Sequence, residues 1–252
     1  MRFFTTVCLV CGLFLLAGCG DKINTVEVQK AGEVQKAGEL KTTIGCKYLV
    51  YLPEGYGEKG KKWPLVMYLH GAGERGDNLE LVKCNGWPLL IKQSKKFKFI
   101  ILAPQCPKEQ GQWWTAKTET LMALLDDIES SYDVDRDRVY LTGLSMGGFG
   151  SWMLGSCHPD RFAAIAPICG GGDTLFAKYD LNSVPIWAFH GAKDDVVPVE
   201  RSKEMVDAVN AAGGNAKLTV YPEAKHDSWT QTYDNPALYE WFLSHRISDR
   251  KK

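Results

Sequence analysis

Gly143-Leu144-Ser145-Met146-Gly147 stands between an apolar, β-rich run, Val139 to Thr142, and a segment with helical spacing, Gly147 to Gly155. A serine at a strand-to-helix hairpin needs small neighbours, because the sharp turn brings flanking backbone close. Such a turn lifts Ser145 Oγ clear of the strand ends. It also sets the first N–H groups and the positive dipole end of the following helix beneath any negative charge that develops there. The strand before and the helix after distinguish this pentapeptide from a chance G-x-S-x-G.

The chain on both sides of it repeats the same alternation. Strands are predicted at Tyr48 to Leu52, Leu65 to Leu69, Phe97 to Ala103, Phe162 to Ala166, Ile186 to Phe189 and Lys217 to Tyr221. Helical spacing marks Leu79 to Lys92, Thr118 to Ser131, Glu200 to Ala212 and Asn235 to His245. Apolar strands alternating with amphipathic helices predict an α/β fold, a mostly parallel sheet with helices on both faces. Chemistry is then expected at the C-terminal ends of the strands.

A serine hydroxyl is a weak nucleophile unless a base reaches it and a carboxylate orients that base. After a serine in this strand–turn–helix setting the acid precedes the histidine in the chain. Four of the five histidines follow Ser145. His158 ends a helix, His245 lies near the end of the last one, and His190 closes a strand, where a buried structural role is expected. His226 lies in a loop just after the last strand, which makes it the candidate base. Either Asp194 or Asp195, beyond the strand Ile186 to Phe189, can supply the carboxylate. Leu69-His70-Gly71-Ala72-Gly73 follows an early strand and suits a loop that donates one backbone N–H, from Ala72, to an oxyanion, with Met146 N–H donating the other. His70 is expected to shape that loop, and Glu74-Arg75 to fix it as an ion pair.

With these motifs in place the chain resembles the α/β-hydrolases, in particular the group of dienelactone hydrolase-like enzymes, carboxylesterases and feruloyl or acetyl esterases often labelled predicted peptidases. The likeness runs from about Lys47 to His245 and includes Leu69 to Asp77, Ala103-Pro104-Gln105-Cys106-Pro107 and Pro167-Ile168-Cys169-Gly170-Gly171-Gly172. The H-G-x-x-D-x-x-V-P pattern of related esterases implies Asp194 as the acid. The resemblance further implies a serine esterase with Ser145, His226 and Asp194 as catalytic residues, needing no metal or cofactor and acting on small esters or acylated polysaccharides. A serine peptidase on small peptides and a non-catalytic binding lipoprotein are the alternatives. The interval from Ser145 to Asp194 is too short for a large lid domain. Trp113, Trp114 and Trp229 are candidates to wall an open site with flat apolar faces suited to sugars or phenolic acyl groups.

The N-terminal part is of another kind. Residues 1–18 carry one charge, Arg2, and an apolar run too short to span a bilayer, as in a secretory signal. Leu16-Ala17-Gly18-Cys19 resembles the lipobox of bacterial lipoproteins, which implies cleavage before Cys19, acylation of its thiol, and an exported protein anchored by lipid to the cell envelope. Residues 19–46 contain a tandem hexapeptide, Glu27 to Gly32 and Glu33 to Gly38, without an apolar stripe. They are expected to form a tether before a catalytic domain at 47–246 and a polar tail at 247–252. The 30 basic and 30 acidic residues of the 252 give no electrostatic case for a nucleic-acid partner. Beyond residue 19 five cysteines remain, Cys46, Cys84, Cys106, Cys157 and Cys169, with no CxxC pair to suggest a metal. A disulfide between Cys106 and Cys169 near the rim of the site is one possible pairing.

Overall fold

The computed structural model describes residues 35–40, 46–108 and 113–250. The expected signal at 1–18, Cys19 and the first hexapeptide copy lie outside the described residues. Among the described residues eight strands form one sheet: β1 (Gln35–Leu40), β2 (Cys46–Tyr51), β3 (Trp63–Leu69), β4 (Ile100–Pro104), β5 (Val134–Leu144), β6 (Ala164–Ile168), β7 (Ile186–Gly191) and β8 (Ala216–Tyr221), in the order β1-β2-β4-β3-β5-β6-β7-β8. β2 runs antiparallel to both β1 and β4, and every later neighbour pair is parallel.

The central strands are buried on both faces, which is why they read as unbroken apolar runs rather than alternating ones. Along β3, Leu65, Met67 and Leu69 enter one core while Val66 and Tyr68 enter the other. Helices α2 (Thr118–Ser131), α3 (Met146–Cys157) and α5 (Glu200–Ala211) close the first core, with Leu125, Trp152 and Met205 among their buried residues. The second is closed by α1 (Gly86–Lys92), α6 (Trp229–Asp234) and α7 (Pro236–Leu243), where Trp87 packs on Phe99, Tyr233 and Phe242. Each such side chain removed from water contributes about 1.5–3 kcal/mol.

From β3 the chain passes outward to β4 on one side and then returns across β3 to β5 on the other. The crevice above the carboxyl ends of β3 and β5 is therefore the point where strand order reverses, the usual place for a ligand in an open α/β sheet. Leu69 pairs with Gly143, so the loop after β3 and the turn after β5 begin side by side.

Several expectations need correction. The second hexapeptide copy is not wholly tether, since Gln35–Leu40 pairs along the length of β2. An edge strand needs only backbone partners, and the outer edge of β2 would otherwise expose its N–H and C=O groups. At the other end, the 247–252 tail is partly structured: Ile247–Asp249 forms a 3-10 turn, Ile247 packs on the second core, and Arg250 donates to the carbonyls of Pro159 (2.6 Å) and Phe162 (2.9 Å). The predicted helix Leu79 to Lys92 is two pieces, a 3-10 turn at Leu81–Cys84 and α1, broken where Gly86 takes φ +60° against the Tyr68 ring. Between β6 and β7, where no helix was predicted, the chain forms α4 (Thr174–Asp180), capped by the Asp173 carboxylate at Leu175 N–H. Cys106 and Cys169 are both thiols in the described structure, so that disulfide is not formed. Burial pushes Cys46 and Cys169 up to about 12 and Cys106 up to about 11, which leaves each a protonated packing residue.

Candidate active site

β5 ends at Leu144 and α3 begins at Met146, so Ser145 makes the whole turn, with φ 52° and ψ −115°. A non-glycine residue in the positive-φ region is strained, and it persists only where its surroundings over-determine it. Here Ser145 N–H is held by the Ile168 carbonyl at 3.0 Å and Cys169 Sγ at 3.3 Å. A methyl group on Gly147 would be driven into the Leu69 carbonyl and one on Gly143 into the Gly147 carbonyl, so the two flanking glycines permit the close approach. This turn was legible in the pentapeptide.

The turns after β7 and β8 are bonded together. Ala192 N–H reaches the Tyr221 carbonyl and Lys193 N–H the Ala224 carbonyl, both at 2.9 Å. That contact brings Asp194 to His226. The Asp194 carboxylate accepts His226 Nδ1–H at 2.7 Å, and His226 Nε2 lies 2.9 Å from Ser145 Oγ. Because Nδ1 faces a carboxylate, the ring proton resides there and the Nε2 lone pair faces the serine hydroxyl. The Asp194 side chain is fully buried, with Oδ1 accepting from Val196 and Val197 N–H at 2.9 Å each. Burial pushes its carboxyl up, yet the bonds from His226, Val197 and Val196 outweigh that and hold it below its ordinary value. Asp195 points away: it is 67% exposed and 3.9 Å from Lys225 Nζ. Of the two carboxylates left open by spacing, the structure brings Asp194 to the histidine.

The loop after β3 rests on this turn, with Gly71 against the Leu144 side chain. His70 is wholly buried beneath it. Its Nδ1–H donates to the Gly71 carbonyl (2.6 Å) and its Nε2 accepts from Cys106 N–H (3.0 Å), so the ring is neutral, and burial lowers it to about 4. It shapes the loop, as expected. Glu74 is also buried and accepts from Asn85 Nδ2, while Arg75 Nε donates to the Ala72 carbonyl at 3.1 Å. Asn85 was not foreseen as the anchor of Glu74, since nothing in its spacing links the two. Met146 opens α3, whose first N–H groups have no carbonyl four residues earlier within the helix.

The three tryptophans separate. Trp113 is 44% exposed and lies 5.5 Å beneath the Arg75 guanidinium. Trp229 stands edge-on to the His226 ring, centroids 5.4 Å apart. Trp114 cannot present a face to a ligand. It is buried to 1% exposure under His70, donates Nε1–H to the His70 carbonyl, and fills the space above Gly150. Between Ser145 and Asp194 the chain forms α3, a 3-10 turn at Pro159–Arg161, β6, α4 and β7, so among the described residues no large lid covers the serine. A hollow of about 610 Å³ lies at the opposite ends of the strands, among Glu54, Lys61, Trp63, Phe97 and Arg138, and does not include the serine.

Known proteins share this architecture. A solved thermostable esterase superposes with a TM-score of 0.73 at 31% identity, covering 84% of this chain and 63% of that one. A bifunctional acetylxylan esterase/xylanase of Neocallimastix patriciarum is 27% identical over 199 residues, 76% of this chain but 27% of that protein. "Probable feruloyl esterase C" of Aspergillus terreus is 25% identical over 218 residues, 82% of this chain and 73% of its own length. The chain thus spans only about a quarter of the first of these curated relatives and most of the second. The model of the dienelactone hydrolase family matches residues 104–239, more than half the chain and inclusive of Ser145, Asp194 and His226, and the chain belongs to that family.

Proposed function

We propose that the chain is a serine-dependent carboxylic ester hydrolase. The observation that carries this reading is the hydrogen-bonded series Ser145 Oγ, His226 Nε2, His226 Nδ1, Asp194 Oδ2, with the serine on a strained turn at the strand ends. Ser145 Oγ attacks the ester carbonyl carbon as its proton passes to His226 Nε2. The carbonyl oxygen becomes an oxyanion held by the N–H groups of Ala72 and Met146, and Asp194 stabilises the imidazolium. His226 then protonates the leaving alcohol, which departs and leaves an acyl ester on Ser145. Water attacks that ester, gives its proton to His226, and releases the carboxylic acid and the free serine. No step requires a metal or cofactor.

The acyl group is best read as acetyl or feruloyl on a polysaccharide or another small ester. The names borne by two relatives support this, as do the absence of a large lid among the described residues and the exposed face of Trp113 near the loop after β3. Export and lipid anchoring through Cys19 complete the proposal and rest on the Leu16 to Cys19 motif. A fluorophosphonate probe labels wild type at Ser145 and leaves Ser145→Ala unlabelled and inactive. Within a panel of short p-nitrophenyl esters, methyl ferulate, acetylated xylan and dipeptide amides, turnover favours the esters. Amide turnover exceeding ester turnover refutes the esterase reading.

A further inference from the structure

His190 and Ser202 are both fully buried directly behind Asp194. His190 stands near the end of β7 and Ser202 in the first turn of α5. Nε2 of His190 lies 3.1 Å from Asp194 Oδ2, the oxygen that also accepts from His226, and 2.9 Å from the Val197 carbonyl. Carboxylate and carbonyl only accept, so Nε2 carries a proton. Nδ1 lies 2.7 Å from Ser202 Oγ, which is also 3.0 Å from the Gly170 carbonyl. The serine has one proton for two acceptors, and a buried neutral ring that already carries its proton on Nε2 leaves Nδ1 to accept it. The ring is then neutral and every polar atom on it is engaged. Burial, outweighing the bonds to Val197 and Asp194, lowers the basicity of His190, in keeping with a neutral ring.

We propose that Ser202 and His190 form a positioning relay for the acid of the active site: the Ser202 hydroxyl fixes the Nε2–H tautomer of His190, and that N–H holds the carboxylate oxygen that His226 uses. The relay rests on the reading of Ser145, His226 and Asp194 given above. Asp194 receives three hydrogen bonds, two from backbone N–H groups on Oδ1 and one from His226 on Oδ2, and the His190 Nε2–H, bonded to the Val197 carbonyl, stands 3.1 Å from Oδ2 and helps fix the plane of the carboxylate. Sharing Oδ2 also divides its negative charge. With His190 absent, more of that charge falls on His226 and favours its protonated form, which cannot serve as base. Of the charged groups near the relay, Glu200, at the start of α5, senses His190, Asp227 adjoins His226, and Lys225 is paired with Asp195.

The test is the pH profile of kcat/KM for p-nitrophenyl acetate in Ser145→Ala, His190→Leu, His190→Gln and Ser202→Ala. His190→Leu is expected to lose about 10- to 100-fold in kcat, the scale of a misaligned catalytic group. Its acid limb should move to higher pH by about half a unit or more. His190→Gln, whose amide N–H can occupy the place of the ring Nε2–H, should return the limb towards wild type, and Ser202→Ala should shift it in the same direction as leucine by a smaller amount. An acid limb that stays in place or moves down in His190→Leu overturns the relay. So do equal losses in the leucine and glutamine variants. Should His190→Leu fail to fold, a long-range 1H–15N spectrum of wild type decides: one ring proton on Nε2 of His190 at neutral pH supports the relay, and a proton on Nδ1 overturns it. Retained activity in Ser145→Ala would instead overturn the reading of the site itself. An inactive Ser145→Ala beside an unmoved His190→Leu limb removes the relay alone.

Discussion

Replacing Asp194 by asparagine preserves the shape of the side chain and halves its accepting capacity, which makes its effect calculable from the four contacts it must satisfy. The carboxylate takes Val196 and Val197 N–H on one oxygen and the His226 ring N–H on the other, with His190 Nε2 3.1 Å from that second oxygen. Turned with its NH2 towards the backbone, the amide would oppose two N–H groups that cannot give up their protons, so the opposite orientation, against imidazoles that can shift theirs, costs less. The NH2 then faces His226 and is satisfied only by donating to Nδ1, which moves the ring proton to Nε2. Nε2–H opposite Ser145 Oγ, 2.9 Å away, cannot accept the serine proton. Loss of the correct tautomer with geometry intact costs about 10⁴-fold in the serine proteases. We therefore expect a fall of about 10³- to 10⁴-fold in kcat, or about 4–5.5 kcal/mol of transition-state stabilisation. Asp195→Asn, at an exposed residue whose lysine partner is 3.9 Å away, should change kcat by less than about twofold. Initial rates on p-nitrophenyl acetate, normalised to protein shown by circular dichroism to be folded, measure both. Activity in Asp194→Asn within tenfold of wild type, or a matching loss in Asp195→Asn, would refute the reasoning.

Three further outcomes follow from buried groups. His70 is lowered from 6.5 to about 4, so below 6.5 the unfolded chain binds a proton that the folded chain refuses. Its contribution is complete above 6.5 and is lost as the pH falls towards 4, at up to about 1.4 kcal/mol per unit. Urea unfolding across that range should show a flatter pH dependence in His70→Gln, and parallel curves contradict the assignment. Trp114→Ala should destabilise the fold by about 3–5 kcal/mol. Trp113→Ala should leave the melting temperature nearly unchanged and raise KM for aromatic esters more than for acetate. Equal melting temperatures of the two variants would contradict the burial difference. Arg250→Ala strands two carbonyls and should cost about 1–3 kcal/mol in chemical denaturation, with specific activity unaltered. An unchanged stability would show that residues beyond 246 are tail after all.

Legibility varied with the length scale of the signal. The pentapeptide around Ser145 was readable because its glycines answer a local steric demand, and α2 was readable because fourteen residues carry a sustained apolar stripe. α4, at seven residues, and α6, at six, are too short to show a period, and neither was predicted. β1 escaped notice because its place is set by pairing with the free edge of β2, distant from any local period. Asp194 and Asp195, like Trp113 and Trp114, are neighbours in the chain with opposite fates. Spacing from a motif cannot separate residues one position apart, because what separates them is the direction each side chain leaves the backbone. The Asp194 carboxylate bonded to N–H groups two and three residues ahead is an Asx-type turn, a local signal that could have favoured it.

By itself, the sequence determined the alternation of strands and helices, the serine turn, the chain order of acid and base, and so the kind of chemistry to be sought. These follow from local sterics and from hydrophobic period, which act over a few to a dozen residues. Only the tertiary structure decided which aspartate meets His226, which tryptophan faces solvent, that Cys106 and Cys169 are thiols, and that His190 and Ser202 stand behind Asp194. The meeting of Asp194 with His226 depends on the carbonyl ends of β7 and β8 closing on one another, and the burial of Trp114 on its packing against His70 and Gly150, contacts between segments some thirty or more residues apart that no local pattern encodes.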